Sequence, residues 1–266
     1  MTGYRQSDLE QKLITVASGK GGVGKTVFAV TLSHALARLG RDVLLFDGDL
    51  GLANVDIQLG LMPQHDIGDV ISGNIDLAAA ALTYTDPVNR RGRLDIISGR
   101  SGSGALSTVA TERLMGLKSG LTALCGRYDH VVLDLAAGVD ANVQTLADNH
   151  GVILVVLAPD PTSLTDAYAF IKLARLRNPE ADIRIVVNRA QGQLDGERTY
   201  EALRRVAKAF LNFEPPLAGI LQEDERVTEA IRRQAAVLSR HPQSRFVKDV
   251  GAIAKHFPVR LRALAG

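Results

Sequence analysis

One short loop near the N-terminus carries residues that could hold a phosphate group. Residues 18–26 read SGKGGVGKT, which satisfies the spacing G-x-x-x-x-G-K-[ST] from Gly19 to Thr26. Small residues let backbone N–H groups turn toward an anion, and a helix that starts at the loop adds the positive end of its dipole. The Lys25 ammonium then suits the β and γ phosphates of a nucleotide, and the Thr26 hydroxyl suits Mg²⁺. The residues predicted to bind are Gly19, Gly21, Gly22, Val23, Gly24, Lys25 and Thr26.

Further polar side chains follow apolar runs that have the composition of buried strands. They are Asp47 and Asp49 after one run, Asp134 after a second, and Asn188 after a third. Ligands of parallel sheets bind at the carboxyl ends of the strands, so we expect these residues near the phosphate loop. The amide of Asn188 offers a donor and an acceptor, which suits the edge of adenine. A turn-forming asparagine is the alternative.

The rest of the chain predicts the elements that position these residues. Apolar runs alternate with segments of helical period, which predicts βαβ units and an α/β fold: a single-domain P-loop NTPase with a mainly parallel, helix-flanked sheet. Strands are predicted at 13–17, 42–46, 94–97, 130–133, 152–158, 183–187 and 217–221, and helices at 25–40, 163–177, 196–211, 227–234 and 244–255. We divide the chain into a polar N-terminal segment (1–12), one domain (13–256) and a basic C-terminal tail (257–266). Residues 63–92 give no clear pattern.

Composition excludes several classes of protein. The 266 residues carry a formal charge of +2, so the chain as a whole is not a polyanion binder. A lone cysteine, Cys125, excludes an intramolecular disulfide and a multi-cysteine metal site, and the six histidines lack ligand spacing. Because no apolar run is long enough to span a membrane and the first residues are polar, we expect a cytoplasmic protein.

The phosphate loop contains a second lysine, Lys20, that a simple phosphate loop does not need. With it, the loop resembles the deviant Walker A motif K-G-G-x-x-G-K-[ST] of the MinD/ParA family. In that family the extra lysine reaches across a dimer interface to the nucleotide of the other subunit. The resemblance therefore implies that Lys20 acts in trans, as an arginine finger does. From the residues alone, a solvated lysine is the alternative.

The same resemblance assigns roles to the acidic residues. The stretch 44–56 resembles the switch I region of the family, which implies that Asp49 orients the attacking water. Asp47 would support the Mg²⁺ shell or the signature lysine, and the alternative is that it caps a turn.

The stretch 130–138 resembles Walker B running into switch II. That resemblance implies that Asp134 holds a Mg²⁺-bound water and that the Gly138 amide senses the γ-phosphate. Leu135 and Ala136 replace the small hydroxyl residue and proline that usually follow the aspartate.

Three stretches, 47–61, 96–104 and 205–244, resemble the flagellar-number regulators of the FlhG (FleN) branch. This likeness places Asp224 near the nucleotide, although Gln222 stands where a proline is usual. It implies a slow, Mg²⁺-dependent ATPase that forms a homodimer with ATP and is stimulated by a protein partner. Candidate partners are an FlhF-like GTPase or flagellar basal-body components, although the N-terminus lacks the usual FlhF-stimulating stretch. The alternatives are another cargo (division site, DNA partition or cellulose synthesis) and a scaffold that acts through nucleotide occupancy.

The C-terminal tail leaves two interpretations open. From Arg240 onward, six basic residues accompany a single acid, Asp249, and apolar residues could form a second side. Pro258 interrupts any helix through the tail, so one weak amphipathic element would need the pairing of a dimer to hold a membrane. Weak membrane contact and an ordinary packed terminus are equally compatible with the sequence. Nucleic acid is the least favoured partner, because the tail lacks aromatic interleaving.

Overall fold

A single eight-stranded sheet forms the centre of the computed structural model, which describes residues 9–86, 91–99 and 110–258. In the described residues the strand order is β3-β4-β2-β5-β1-β6-β7-β8, and all neighbours are parallel except the antiparallel pair β3 and β4. The strands are β1 (Leu13–Ser18), β2 (Asp42–Gly48), β3 (Leu82–Thr83), β4 (Arg93–Ile97), β5 (His130–Ala137), β6 (Val152–Leu157), β7 (Asp182–Ala190) and β8 (Leu217–Gln222). The predicted α/β class is confirmed.

Helices cover both faces of the sheet. Those in the described residues are α1 (Lys25–Arg38), α2 (Val55–Leu59), α3 (Ile67–Ile71), α4 (Thr111–Leu124), α5 (Ala141–Ala147), α6 (Pro161–Arg177), α7 (Gln193–Leu211), α8 (Glu225–Arg232), α9 (Val237–Arg240) and α10 (Arg245–Ala254), with a 3₁₀ turn at Leu77–Ala80. Alternate residues of β1 enter different cores: Leu13 and Ala17 pack with α4 to α7, whereas Ile14 and Val16 pack with α1 and α10. Burial on both faces explains why the central strands are continuous apolar runs.

Three strands continue past predicted site residues. β2 continues to Gly48, β5 to Ala137 and β7 to Ala190, so the expectation that Asp47, Asp134 and Asn188 stand at or beyond the ends of their strands was wrong. The reason is the length of the neighbouring strand: β2 runs to Gly48, which pairs with Leu135 one residue beyond Asp134. Polar side chains can therefore lie inside a strand where the sheet approaches a ligand site.

The segment without a clear sequence pattern contains short elements. α3 begins at a capping box in which the side chains of Asp66 and Asp69 each accept from the other residue's backbone N–H. β3 has two residues and adds an antiparallel edge to β4. The sequence analysis also did not predict α2, α4, α5 and α9, and the glycine-serine stretch it singled out lies outside the described residues from residue 100 onward.

The packed body extends past residue 13 at one end and past residue 256 at the other. Glu10 is 3% exposed, and its carboxylate accepts from the Thr122 hydroxyl at 3.5 Å and the His150 amide at 3.1 Å. Phe257 belongs to the core on the α1 side, and residues 259–266 of the tail lie outside the described residues. In the part of the chain that the structure describes, no helix is long and apolar enough to cross a membrane.

Candidate functional site

The phosphate loop joins β1 to α1, and close contacts require glycine at two of its positions. A Cβ at Gly19 would lie 2.0 Å from the Asp166 carbonyl oxygen, and one at Gly24 would lie 2.3 Å from Asn188 Nδ2. Gly22 and Gly24 also have φ values of 79° and 86°, a region that glycine adopts without strain. A Cβ at Gly21 or Gly22 would meet no described atom within 4 Å, so that side of the loop faces open space. The loop is thus open at Gly21 and Gly22 and closely packed against neighbouring segments at Gly19 and Gly24.

A cleft of about 400 Å³ opens over this loop. It is lined by Ser18, Lys20, Gly21, Gly22, Gly24, Lys25, Thr26, Val27, Asp49, Asn54, Ile57, Gln58, Ala137 and Ile231. The predicted phosphate, lysine and switch I residues therefore meet at one site. Its polar groups lie at the carboxyl edge of the sheet, as expected for a parallel fold.

Lys25 and Asp134 form a buried ion pair at the base of the cleft. Their Nζ and Oδ1 atoms are 2.8 Å apart, and the side chains are 8% and 1% exposed. Among the described residues Asp134 Oδ2 has no hydrogen-bond partner. The unpartnered Asp134 oxygen and the hydroxyl of Thr26, the residue that follows Lys25 and is half-buried in the cleft wall, are the kinds of oxygen ligand that Mg²⁺ prefers.

The remaining ligands of such an ion would come from the nucleotide and water. No group of three or more His, Cys, Asp or Glu side chains within residues 9–86, 91–99 and 110–258 is arranged to hold a metal ion. Mg²⁺ in nucleotide sites uses one or two protein oxygens together with phosphate oxygens and water, which agrees with this arrangement.

Asp47 shapes the segment that follows β2. One carboxylate oxygen accepts from Asp49 N at 3.1 Å, and the other accepts from Asn54 N at 3.0 Å and Val55 N at 3.1 Å. Burial and then the Asp134 carboxylate raise the pKa of Asp47 to about 7, and the three backbone donors oppose this rise. The contacts are those of a turn-capping residue, which was the alternative considered for Asp47. Its support of a Mg²⁺ shell or of the signature lysine stays a prediction.

Asp49 lies in the wall of the cleft, where its Oδ1 atom accepts from Leu52 N at 2.9 Å. The predicted γ-phosphate sensor, Gly138, has a φ of 111° and donates its amide to the Ser18 carbonyl at 2.9 Å. That amide must leave Ser18 before it can serve a phosphate, so its role as a sensor also stays a prediction.

Lys20 lies at the rim of the cleft and is held by the start of α6. Its Nζ lies 3.1 Å from Asp160 Oδ1 and also donates to the Thr162 hydroxyl. The Thr162 hydroxyl, the Ser163 amide and Lys20 lower the pKa of Asp160 to about 2. The Lys20 and Asp160 side chains are 40% and 38% exposed, so the pair is accessible to solvent.

A second cavity of about 250 Å³ adjoins the loop and includes Asn188 and Asp224. Asn188 Nδ2 donates to the Val23 carbonyl at 2.7 Å, which fixes the amide orientation because a carbonyl can only accept. The Asn188 carbonyl oxygen remains as an acceptor at this cavity. Asp224 caps α8 through Arg226 N at 3.0 Å and accepts from Arg245 N at 3.1 Å.

Sequence reasoning missed several residues at the site. Asp160 is the N-cap of α6, with Pro161 directly after it, so the D-P pair could have revealed the helix start but not its contact with Lys20. Gln58, Ile57 and Ile231 also line the cleft. They fall within the stretches 47–61 and 205–244 that carry the family resemblance, but the resemblance gave them no role at the site.

The fold and the site together define a class. A parallel sheet, a glycine-rich loop between its central strand and α1, and a buried lysine–aspartate pair below that loop are the parts of a P-loop nucleotide-binding protein.

Comparison with known proteins places the chain within that class. Residues 14–237 match the family described as "CobQ/CobB/MinD/ParA nucleotide binding domain". The chain is 35% identical over 244 residues to the antiactivator FleN of Pseudomonas aeruginosa, covering 92% of this chain and 85% of that protein. It is 28% identical over 244 residues to the flagellum site-determining protein YlxH of Helicobacter pylori, covering 91% and 80%. The septum site-determining protein MinD of Pyrococcus horikoshii OT3, complexed with Mg-ADP, has the same fold, with a TM-score of 0.75 at 24% identity over 92% of this chain and 95% of that one.

The chain therefore belongs to the CobQ/CobB/MinD/ParA nucleotide-binding family and is a MinD/ParA-type P-loop ATPase. The resemblance inferred from its phosphate loop is confirmed.

Proposed function

We propose that this ATPase is a dimerisation switch that regulates flagellar number or placement. Two subunits close around two ATP molecules, and hydrolysis separates them. The position of Lys20 supports this most directly. Lys25 already serves the phosphates from a buried position, whereas the Lys20 ammonium lies at the open rim and is 40% exposed. A second cation there can meet a triphosphate that its own loop does not hold.

Within each subunit the proposal gives the polar residues separate tasks. The loop amides and Lys25 bind and orient the phosphates, while Thr26 and Asp134 would hold Mg²⁺, with Asp47 fixing the segment beside them. When bound, Mg²⁺ neutralises phosphate charge. Asp49 accepts a hydrogen bond from the water that attacks the γ-phosphorus and holds that water in line, which is most of the chemistry that phosphoryl transfer requires.

The second cavity would take the base. Because Asn188 uses its NH₂ group on the Val23 carbonyl, its oxygen is left to accept from the exocyclic amine of adenine. Guanine presents a carbonyl oxygen at the equivalent position and would meet an acceptor there. Asp224 borders this cavity and ties α8 to the start of α10.

The flagellar task rests on the likeness to the antiactivator FleN and the flagellum site-determining protein YlxH. The partners proposed are an FlhF-like GTPase or flagellar basal-body components, and the basic tail would give weak contact with the inner face of the membrane. Deletion of the gene in its source organism should change the number or position of flagella. An unchanged flagellar pattern with a defect in division or DNA partition would assign another cargo.

The dimerisation step can be tested by light scattering during size-exclusion chromatography. The wild-type chain should be monomeric with ADP and dimeric with ATP, and Lys20→Ala should remain monomeric with both. Lys172→Ala, an exposed lysine on α6, is the matched control and should dimerise as the wild type does. An ATP-bound dimer of Lys20→Ala would contradict the role of Lys20 in trans.

Phosphate release separates the switch from a scaffold that acts by occupancy alone. Asp49→Ala should abolish release while the ATP-bound dimer persists, because the positioned water is lost and the phosphate contacts remain. Equal release by Asp49→Ala and the wild type would favour the scaffold.

A further inference from the structure

One polar side chain in the wall of the phosphate cleft has no role in the proposed function. Gln58 lies on α2 and is 7% exposed. It lines the cleft together with Lys25, Thr26 and Asp49. Its Nε2 atom is buried and has no hydrogen-bond partner among the described residues.

A buried amide nitrogen without an acceptor is uncommon, because the group loses its hydrogen bonds to water and gains none in return. Replacement by an apolar side chain of similar volume would remove that cost. Burial alone does not distinguish Gln58, because Gln144 also has buried amide atoms without partners among the described residues. Gln58 differs in lining the cleft, where an acceptor can arrive with a ligand.

The contents of the cleft limit what that acceptor can be. The carboxylate that lines the cleft, Asp49, accepts from Leu52 N and not from Gln58, and the Asn54 side-chain amide donates to the Leu52 carbonyl. The two cations of the cleft, Lys20 and Lys25, cannot accept a hydrogen bond. Phosphate oxygens can only accept, and this is the cleft in which the phosphates would lie.

The position of α2 indicates which phosphate is involved. The Asn54 and Val55 amides that begin α2 are held by Asp47, in the same segment that carries Asp49. Gln58 thus shares its wall with the residue assigned to the attacking water, and it does not line the cavity beside Asn188.

We propose that the Gln58 side-chain amide donates a hydrogen bond to the terminal phosphate of bound ATP and so distinguishes ATP from ADP. A half-turn of the terminal amide exchanges its nitrogen and oxygen, so the NH₂ group can face the cleft. The inference rests on the proposed binding of ATP in this cleft. It makes Gln58 a sensor of nucleotide state as well as part of the wall.

The test uses Gln58→Met, which keeps the length of the side chain and removes both amide groups. Calorimetric titration should show ATP affinity reduced by about 5–10-fold and ADP affinity within about twofold of the wild type. The melting temperature without nucleotide should be unchanged or higher, because an unpaired buried donor has been removed.

Gln144→Met is the matched control. Gln144 is another glutamine with unpartnered amide atoms among the described residues; it is 3% exposed and lies on α5, outside the lining of the cleft. Its ATP and ADP affinities should equal those of the wild type. Gln58→Glu provides a second variant of nearly unchanged shape, and its negative charge should reduce ATP affinity further than methionine does.

The inference would be overturned if Gln58→Met and Gln58→Glu lowered the affinities for ATP and ADP equally, or if they changed neither affinity. Either result would leave the proposal that ATP binds in this cleft standing. A lower melting temperature of Gln58→Met with unchanged affinities would assign the amide to a structural role. A wild-type chain that binds neither nucleotide would instead overturn the proposed function as well.

Discussion

Buried charged side chains at the two ends of the parallel strands have different tasks. At the carboxyl edge, Lys25 and Asp134 form an ion pair whose partners a nucleotide and its metal could replace. At the other edge, Arg41 is 8% exposed and donates to the carbonyl of Phe257, while its Nη1 atom lies 3.3 Å from His130 Nε2. The first pair lies below the proposed nucleotide site, whereas the second cluster fixes the segment around Phe257.

His130 makes the stability of the protein depend on pH. Burial, and then the charge of Arg41, lowers the pKa of His130 to about 4, below its usual value near 6.5. Between these values the unfolded chain binds more protons than the folded chain, so the free energy of unfolding falls as pH drops through the window. Urea denaturation should show a contribution from His130 that is complete above pH 7 and smaller by about 2 kcal/mol at pH 5.

The variant His130→Gln isolates this contribution from other titrating groups. It should be less stable than the wild type at pH 7, and the difference should narrow at pH 5. His256→Gln, which changes an exposed histidine near the same edge, should keep the wild-type pH dependence. A gap between His130→Gln and the wild type that does not change with pH would contradict the assignment.

Some elements of the fold could be predicted from the sequence, and others could not. The phosphate loop could be predicted because its chemistry is local: nine consecutive residues carry the glycines, the lysines and the threonine. The central strands could be predicted because burial on both faces leaves continuous apolar runs. The extension of β5 past Asp134 could not, since it depends on pairing with β2. The contact of Lys20 with Asp160 joins residues 140 positions apart, and Gln58 is defined by what surrounds it in space.

Asp160, at the start of α6, both caps that helix and holds Lys20. Asp160 accepts from Ser163 N at 2.8 Å as the N-cap, and the same oxygen pairs with Lys20. If Lys20 crosses to the other subunit, each subunit must first give up this pair. An exposed ion pair contributes about 0.2–1 kcal/mol, so two of them oppose dimerisation by about twofold to thirtyfold.

Asp160→Asn should therefore strengthen the ATP-bound dimer, because asparagine caps helices as well as aspartate does but does not pair with lysine. Sedimentation equilibrium with ATP should give a dimer dissociation constant lower by that factor, and the free energy of unfolding of the monomer should fall by no more than the contribution of the lost ion pair, about 0.2–1 kcal/mol. Asp160→Ala, which also removes the cap, should cost about 1 kcal/mol of stability. A weaker dimer for Asp160→Asn would show that the carboxylate supports the interface instead of restraining Lys20.

At the scale of the whole molecule, α10, the last helix of the described residues, covers the side of the sheet that carries α1. α10 buries Phe246, Val250 and Ile253, and Phe257 follows it into the same core. The Phe257 ring meets His130 edge-on, with ring centroids 6.3 Å apart. The segment up to Phe257 is thus part of the domain that carries the phosphate loop, although it lies at the opposite end of the strands.

Two truncated chains distinguish the contribution of α10 and Phe257 to stability from the role of the tail. A chain that ends at Gln243 loses four large buried side chains worth about 1.5–3 kcal/mol each, a sum comparable to the total stability of a domain, and should not unfold cooperatively in urea. A chain that ends at Pro258 keeps these contacts and should match the full chain in melting temperature and ATP affinity.

The role of the tail can be tested by sedimentation with vesicles. With ATP, the full chain should sediment with anionic phospholipid vesicles and the chain ending at Pro258 should not, because Arg260 and Arg262 carry positive charge and a dimer presents two copies of the tail. Equal sedimentation of the two chains would remove the tail from membrane contact and leave it as an ordinary terminus.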